Sequence, residues 1–316
     1  RSSDLDIVIV AAKRTPMGAL LGSLSSLTAP ELGAIAHQAA IAQAGLDANQ
    51  IDEVISGCVL QAGIGQAPAR QAAIKAGIPD SKGATTINKM CGSGMKAVML
   101  AHDLIKAGSA EIILAGGMES MSHAPYLLPK ARQGYRLGHG ELKDHMFLDG
   151  LEDAYDRGQL MGVYAEATAD NYHFSREEQD AFAIQSYKRS QAAIESGRFD
   201  AEIIPVEIPQ RSGEPFIFAK DEEPYKVKFD KIAGLKGAFQ KDGTVTAANA
   251  STMNDGAAAL VLMSKEKADA MGVKPIAKIL AFADATQEPV WFTTAPALAV
   301  PKAVAKAGLK MEDISY

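Results

Sequence analysis

The chain has 316 residues, enough to bury a sizeable core and to form about two or three domains of ordinary size. An apolar fraction of 47% is typical of globular α/β proteins, and the net charge of -6 favours neither nucleic acid nor an anionic membrane as a partner. No apolar stretch reaches the roughly 18 residues of a membrane span, and two cysteines are too few for a disulfide framework or a cysteine zinc site. We therefore expect a cytoplasmic protein without a metal, although a processed organellar protein has the same composition.

Short apolar runs alternate with helical patterns in the first third of the chain. A strand is predicted over 6–12, an Ala-rich helix over 28–45 and a second strand over 52–60. This alternation is typical of βαβ units, in which the strands are parallel. Cys58, beside the second strand, is interpreted as a small buried apolar residue.

The next unit repeats this order, with a strand over 84–88, a helix over 92–107 and a strand over 111–117. Gly108 marks the end of the helix, as glycine commonly does. His102 lies within the apolar stripe of this helix, so we predict a packed histidine rather than a ligand.

The composition changes to Pro, Gly, Tyr and charged residues over 120–250, interrupted by a predicted helix over 176–197. We interpret this region as a long insertion between two halves of a core. His123, His139 and His145 fall within it at wide, irregular spacing. They are therefore interpreted as solvated loop histidines rather than as a metal site.

A weak internal repeat relates residues 36–51 to residues 299–314, which align without a gap and share an AGLxxxxI tail. The repeat predicts a core built by duplication, with a second half beginning near Lys274 and a strand within 275–285. This second half stops earlier than the first. We therefore expect these residues to be a fragment of a longer chain.

Cys91 lies in INKMCGSGMKAV, residues 87–98, where the predicted strand passes through a glycine-containing turn into a helix. Unpaired N–H groups and the helix dipole favour a thiolate at a helix N-terminus, and the same N–H groups can support an oxyanion. Gly92 and Gly94 remove side chains that would obstruct an incoming acyl group. On this local pattern alone, a purely structural cysteine remains the alternative.

This turn resembles the acyl-enzyme motif of the thiolases, the family of acetyl-CoA acetyltransferases and 3-ketoacyl-CoA thiolases. Further segments are similar to that family in the same order, and they are VIVAAKRTPMG (8–18), LAGGMESMSHAPY (114–126), DGLEDAY (149–155), LMGVYAE (160–166), SREEQDAFAIQS (175–186) and GTVTAANASTMNDGAAALVLMS (243–264). Another condensing enzyme, such as a ketoacyl-carrier-protein synthase, would explain the cysteine turn but neither GGMESMS nor NASTMNDGAA.

The resemblance implies an α/β fold of five layers, αβαβα, made of two duplicated βαβαβαββ halves with an inserted loop domain. It assigns residues 1–119 and 251–273 to the N-terminal half, and residues 120–250 to the loop domain that binds CoA. Residues 274–316 would then be the start of a C-terminal half, which is incomplete in this sequence.

The resemblance also implies a ping-pong acyltransferase of fatty acid metabolism. Cys91 would take the acetyl group of acetyl-CoA, and a second acetyl-CoA would then give acetoacetyl-CoA, or CoA would reverse the step. The CoA thioester is a substrate, and no cofactor is implied. Family members are typically homodimers or homotetramers, and no nucleic acid or membrane partner is expected.

Residue by residue, the resemblance places Leu151 and Met161 near the pantetheine and the acyl group. It places Phe239, Ala247 and Ser251 along the CoA channel. A hydrogen bond from Ser251 to the pantetheine amide competes with a second interpretation, in which Ser251 caps a following helix.

The sequence departs from the family pattern in several ways. Short-chain members often have His-Met-Gly where this chain has Leu-Met-Gly at 160–162, which leaves the acyl preference open. Neither Lys226 nor Lys228 can be assigned to the CoA phosphates. The Gly-His-Pro histidine that activates the nucleophile and the second catalytic cysteine are not found, so we expect these residues alone to be inactive. The alternative is a non-catalytic CoA-binding or scaffold protein that ends naturally at Tyr316.

Overall fold

The computed structural model describes residues 5–315, which form two compact units. The first unit comprises the chain up to Gly150 together with Ala192–Glu223 and Met253–Lys278. The second comprises Leu151–Gln191, Pro224–Thr252 and the chain from Ile279 onward. None of the helices among the described residues is long and apolar enough to cross a membrane.

Strands and helices alternate over the first part of the chain, and two short strand pairs and a long strand follow later. The strands are β1 (Ile7–Arg14), β2 (Gly18–Ala19), β3 (Glu53–Gly57), β4 (Gly83–Ile87), β5 (Ile112–Ser120), β6 (Tyr126–Leu127), β7 (Lys143–Asp144), β8 (Val206–Ile208), β9 (Phe216–Phe218), β10 (Asn254–Ser264) and β11 (Ala277–Lys278). The α-helices are α1 (Ala29–Ala44), α2 (Pro68–Lys75), α3 (Ser93–Ala107), α4 (Met161–Tyr172), α5 (Arg176–Glu195), α6 (Lys265–Met271) and α7 (Ala295–Lys306).

A mixed seven-stranded sheet organises the first unit, with the order β11-β1-β10-β5-β3-β4 and β2 paired to β10. Strand β3 is parallel to both β4 and β5, whereas β10 is antiparallel to its neighbours β1 and β5. The predicted βαβ units are confirmed in this parallel part of the sheet. Strand β11 covers only a small part of the strand predicted within 275–285.

Helices cover both faces of this sheet. Successive residues of a strand point to opposite sides, so neighbouring residues of one strand show which helix lies on which face. On β5, the side chain of Met118 lies against Gly33 of α1, while the next residue toward the amino end, Gly117, lies against Gly94 of α3. Helix α2 packs on α1, so α1 and α2 lie on one face of the sheet and α3 on the other. The sheet thus holds the amino end of α3 directly above its parallel strands.

The two copies of the internal repeat have the same local structure. Helix α1 ends at Gly45 in the left-handed conformation, with φ of 67°, and a 3₁₀ turn follows at Ala48–Gln50. After α7, Gly308 has φ of 72°, and a 3₁₀ turn follows at Met311–Asp313. The repeat predicted from the sequence is therefore also a structural repeat.

Helices α4 and α7 and most of α5 belong to the second unit, together with irregular segments. The first unit includes 120–150 and 192–223, which the sequence analysis assigned to the loop domain. The predicted domain boundaries describe the family fold rather than these compact units. They stay a prediction.

Candidate active site

The carboxyl ends of three parallel strands meet at one edge of the sheet. Gly57 at the end of β3 is in register with Ile87 at the end of β4 and with Gly117 of β5. Ligands of open α/β sheets bind outside the carboxyl ends of parallel strands. The turn that carries Cys91 begins directly after Ile87, so Cys91 belongs to the edge where this rule places a ligand.

The Cys91 turn is sharp because one of its residues adopts a left-handed backbone. Met90 has φ of 49°, an unusual conformation for a residue that is not glycine. Its N–H donates to the side-chain oxygen of Asn88 at 2.9 Å, which stabilises the turn locally. Gly92 is the N-cap of α3, and Cys91 itself is exposed. The predicted geometry of an accessible thiol at the start of a helix is therefore present.

Ser93 holds this turn from inside. Its buried hydroxyl donates to the carbonyl of Met90 at 2.6 Å and accepts the N–H of Lys89 at 2.9 Å. The Ser93 N–H donates to the same Met90 carbonyl at 3.0 Å. The hydroxyl thereby bridges the residues before Cys91 and fixes the conformation in which the thiol is presented.

Glycine allows α3 to lie close to the sheet beneath the cysteine turn. A Cβ atom on Gly57 would lie 2.4 Å from Cβ of Ser93 and 2.9 Å from its backbone carbon, distances that no real side chain tolerates. Gly117 lies against Gly94 and the carbonyl of Gly57 on the same face of the sheet. Contact between backbones, rather than side chains, sets the height of α3 above these strands.

Cys58 differs from Cys91 in its exposure and in the groups around it. It is buried, and its Sγ lies 3.6 Å from the Glu119 carboxylate. Burial, followed by the charge of Glu119 and the hydrogen bond to it, raises the pKa of the Cys58 thiol far above its usual range. The interpretation of Cys58 as a small buried residue is confirmed.

His145 corrects one sequence interpretation. It is buried rather than solvated; its Nδ1 lies 2.6 Å from Asp149, and its Nε2 accepts the N–H of Ala62. The contact with Ala62 joins segments 83 residues apart, and such a contact leaves no periodic pattern in the sequence. His102 is buried on α3 beside Asp103, as predicted.

All the residues predicted to contact CoA lie in the second unit. Met161 is the first residue of α4, and the ring of Phe239 lies so close to the next residue, Gly162, that a Cβ there would be 2.2 Å from the ring. The structure therefore brings Phe239 to the amino end of α4. Leu151, partly exposed, ends a short helical turn that begins at Phe147.

Ala247 and Ser251 are both exposed on the loop that precedes β10. No helix follows Ser251, since β10 begins at Asn254, so the alternative interpretation of Ser251 as a helix cap is wrong. The fully buried carboxylate of Glu166 fixes the start of this loop by accepting the N–H groups of Thr244 and Val245. The carboxylate holds the loop while Ala247 and Ser251 stay accessible.

Several residues that shape these regions were not found from the sequence, namely Gly57, Ser93, Glu119, His145 and Glu166. Each acts through a contact with a distant segment or within a turn, and neither kind of contact leaves a periodic pattern. Among residues 5–315, no group of three or more His, Cys, Asp or Glu side chains is placed to hold a metal ion.

Comparisons with a family model and with curated proteins indicate the same family. Residues 7–266 match the model of the thiolase N-terminal domain. The chain is 52% identical over 310 residues to an acetyl-CoA acetyltransferase of Pseudomonas aeruginosa, a match that covers 98% of this chain and 79% of the relative. It is 53% identical over 317 residues to the mitochondrial acetyl-CoA acetyltransferase of Danio rerio, covering 100% of this chain and 74% of the relative.

A solved structure supports the same relationship. The crystal structure of the Bacillus anthracis acetyl-CoA acetyltransferase superposes with a TM-score of 0.94 at 42% sequence identity, covering 98% of this chain and 78% of that one. The predicted thiolase-like α/β fold is confirmed by this match.

Proposed function

The chain belongs to the thiolase family and is an enzyme of that family, and we propose that it moves acetyl groups between CoA thioesters through Cys91. In the full reaction two acetyl-CoA molecules and acetoacetyl-CoA plus CoA interconvert. The observation that carries the proposal is the exposed Cys91, in a strained turn between a parallel strand and the first turn of α3.

The first half of the reaction is an acyl transfer to sulfur. The Cys91 thiolate forms a bond to the carbonyl carbon of acetyl-CoA, and the carbonyl oxygen takes the negative charge. Collapse of this oxyanion breaks the bond to the CoA sulfur, and CoA leaves as a thiolate. The dipole of α3 favours negative charge beside Cys91, together with the N–H groups of its first turn that lack intrahelical partners. The Ser93 N–H is not one of these donors, because it donates to the Met90 carbonyl.

The second half forms a carbon–carbon bond. The α-carbon of a second acetyl-CoA loses a proton to a base and attacks the carbonyl carbon of the acetyl-enzyme. The bond to the Cys91 sulfur breaks, which releases acetoacetyl-CoA and restores the thiolate. Neither half involves net oxidation or reduction, so the proposed reaction requires no redox cofactor.

CoA recognition is assigned to the second unit. We propose that the pantetheine and acyl group contact Leu151 and Met161, and that Phe239, Ala247 and Ser251 line the CoA channel. The exposure of Ala247 and Ser251 supports this assignment, because the loop is fixed by Glu166 while these side chains stay free of the core. The Ser251 hydroxyl would donate to the pantetheine amide carbonyl.

An acetyl exchange reaction tests the proposal, since it needs only the first half of the cycle. The chain is incubated with acetyl-CoA and isotopically labelled CoA, and labelled acetyl-CoA is measured by mass spectrometry. Because the histidine that activates the nucleophile is not found among these residues, we expect exchange only far below ordinary enzyme rates in the wild type and in Cys58→Ala, and none in Cys91→Ala. Exchange by Cys91→Ala would overturn the nucleophile assignment. CoA binding without exchange by the wild type would support the non-catalytic alternative.

Three further predictions remain open. Neither the histidine that activates the nucleophile nor the second catalytic cysteine is found in this sequence, so we expect no acetoacetyl-CoA thiolysis by these residues alone. The loss of the acetoacetyl-CoA enolate absorbance measures thiolysis.

A homodimer or homotetramer is expected, and light scattering measures the oligomeric state. A cytoplasmic location is proposed, while the curated relatives include enzymes described as cytosolic and as mitochondrial.

A further inference from the structure

Glu119 lies two residues beyond the register point of β5, on the same face of the sheet as α3. Its carboxylate accepts the N–H groups of Val59 and Leu60, each at 2.9 Å, and the Cys58 thiol at 3.6 Å. One side chain of β5 thus holds the segment that leaves β3. Burial raises the pKa of the Glu119 carboxyl, and these donors partly offset that cost.

The segment held by Glu119 contacts the chain on both sides of Cys91. Before the nucleophile, the Cys58 N–H donates to the carbonyl of Ile87 at 3.1 Å. After it, Gly57 packs directly on Ser93, with no room for a side chain between them. The cysteine turn is therefore supported at its start and its end by the same short piece of chain.

We propose that Glu119 is a positioning residue for Cys91, acting through residues 57–60. The inference rests on the proposed function of Cys91 as the nucleophile. The carboxylate holds Cys58, Val59 and Leu60. This segment and the adjoining Gly57 support Ile87 and Ser93, and the thiol is thereby presented to substrate in one orientation. The contacts of Glu119 are with residues 58–60, so the proposal gives it no direct part in the chemistry. Displacements of about 1 Å at a reacting group can cost about a hundredfold in rate, so the effect of losing this support is measurable.

The chain offers a matched control at the opposite end of the same strand pair. Asp52 precedes β3, and its carboxylate accepts the N–H groups of Glu111 and Ile112 at 2.9 and 3.0 Å, where β5 begins. Both carboxylates therefore join β3 to β5 through two backbone donors. Only Glu119 does so beside the cysteine turn, so Asp52→Asn reproduces the structural loss without displacing Cys91.

The experiment compares Glu119→Gln, Glu119→Asp and Asp52→Asn with the wild type. The rate of Cys91 alkylation by iodoacetamide is measured by peptide mapping from pH 6 to pH 10, together with acetyl exchange and melting temperature. We expect both Glu119 variants to lose about tenfold in alkylation rate at pH 7. Glu119→Asp retains the charge but retracts the carboxylate, so it reports on positioning even where Glu119→Gln does not fold. Asp52→Asn should lower the melting temperature and leave the Cys91 rate unchanged.

The sign of the change in alkylation rate distinguishes a positioning role of Glu119 from a purely electrostatic one. Removing a nearby negative charge alone favours the thiolate, so a purely electrostatic effect would accelerate alkylation in Glu119→Gln. Faster alkylation, or rates equal to the wild type, would overturn the proposal, and so would equal slowing in Asp52→Asn. A wild type that alkylates at Cys91 but exchanges no acetyl group would overturn the proposed function, while the alkylation rates would still decide the role of Glu119.

Discussion

Two cysteines lie just beyond the ends of neighbouring parallel strands, and the structure gives them opposite environments. Cys58 follows β3 directly, is 1% exposed and faces the partly buried carboxylate of Glu119. Cys91 follows β4 after a left-handed residue, Met90, and is exposed. The two strands pair in register, so the sheet alone does not distinguish the thiols.

The difference arises in the residues that follow each strand. After β3 the chain stays near the sheet, where Glu119 captures its N–H groups. After β4 the backbone turns at Met90, and Ser93 closes the turn, so the thiol is lifted away from the core. The same sheet edge therefore holds one buried cysteine, in the segment that Glu119 binds, and one accessible cysteine.

The sharpest test of this contrast is selective alkylation. Brief treatment of the native protein with iodoacetamide at neutral pH should label Cys91 over Cys58 by at least about a hundredfold, because each unit of raised pKa lowers the thiolate fraction tenfold. Peptide mapping measures the ratio, and labelling in denaturant, where the two rates should converge, is the control. Comparable labelling of both thiols in the native state would contradict the contrast.

A buried histidine near β3 predicts that acid lowers the stability of the fold. His37 of α1 lies beneath β3, with Nε2 3.2 Å from the Ser56 hydroxyl, and burial lowers its pKa from 6.5 to about 4. Between these values the unfolded chain binds a proton that the folded chain does not, so stability is complete above pH 6.5 and falls as pH decreases. We expect a loss of about 3 kcal/mol from this group by pH 4.

Urea unfolding at pH 7 and pH 4 checks this loss. His37→Gln should lose less stability between the two pH values than the wild type, by about that amount. His139→Gln, which changes an exposed histidine, is the matched control. An identical pH dependence in the wild type and His37→Gln would rule out His37 as the source.

The close contact between β3 and α3 can be broken by one methyl group. Gly57→Ala places a Cβ 2.4 Å from Ser93 Cβ, so we expect destabilisation by about 2 kcal/mol and slower alkylation of Cys91. Gly234→Ala, at a position with open space around it, is the control. Unfolding in urea and the alkylation rate together report the effect. A Gly57→Ala variant as stable and reactive as the wild type would show that α3 shifts without cost.

The smallest expected effect belongs to CoA recognition. Ser251→Ala should weaken CoA binding by about 1 kcal/mol, the net value of one hydrogen bond, with stability unchanged because the hydroxyl is exposed. Calorimetric titration of CoA measures the change, with Ser186→Ala on the exposed side of α5 as the control. Equal affinity of Ser251→Ala and the wild type would remove Ser251 from the CoA channel.

Local signals in the sequence predicted much of the fold. The AGLxxxxI tail produces a left-handed glycine and a 3₁₀ turn in both copies, although Ile51 is buried and Ile314 is exposed. Local chemistry therefore determines this geometry whatever the packing. The same reasoning placed Cys91 in its turn. It could not find Glu119, since its partners are about 60 residues away along the chain.

The location of the acetyl group tests the central claim most directly. The native chain is incubated with acetyl-CoA, quenched in acid and digested with pepsin, and the acetylated residue is identified by mass spectrometry. We predict a thioester on Cys91 that neutral hydroxylamine releases, in the wild type and in Cys58→Ala alike. A stable acetyl group on Cys58, or a label that persists in Cys91→Ala, would contradict the account.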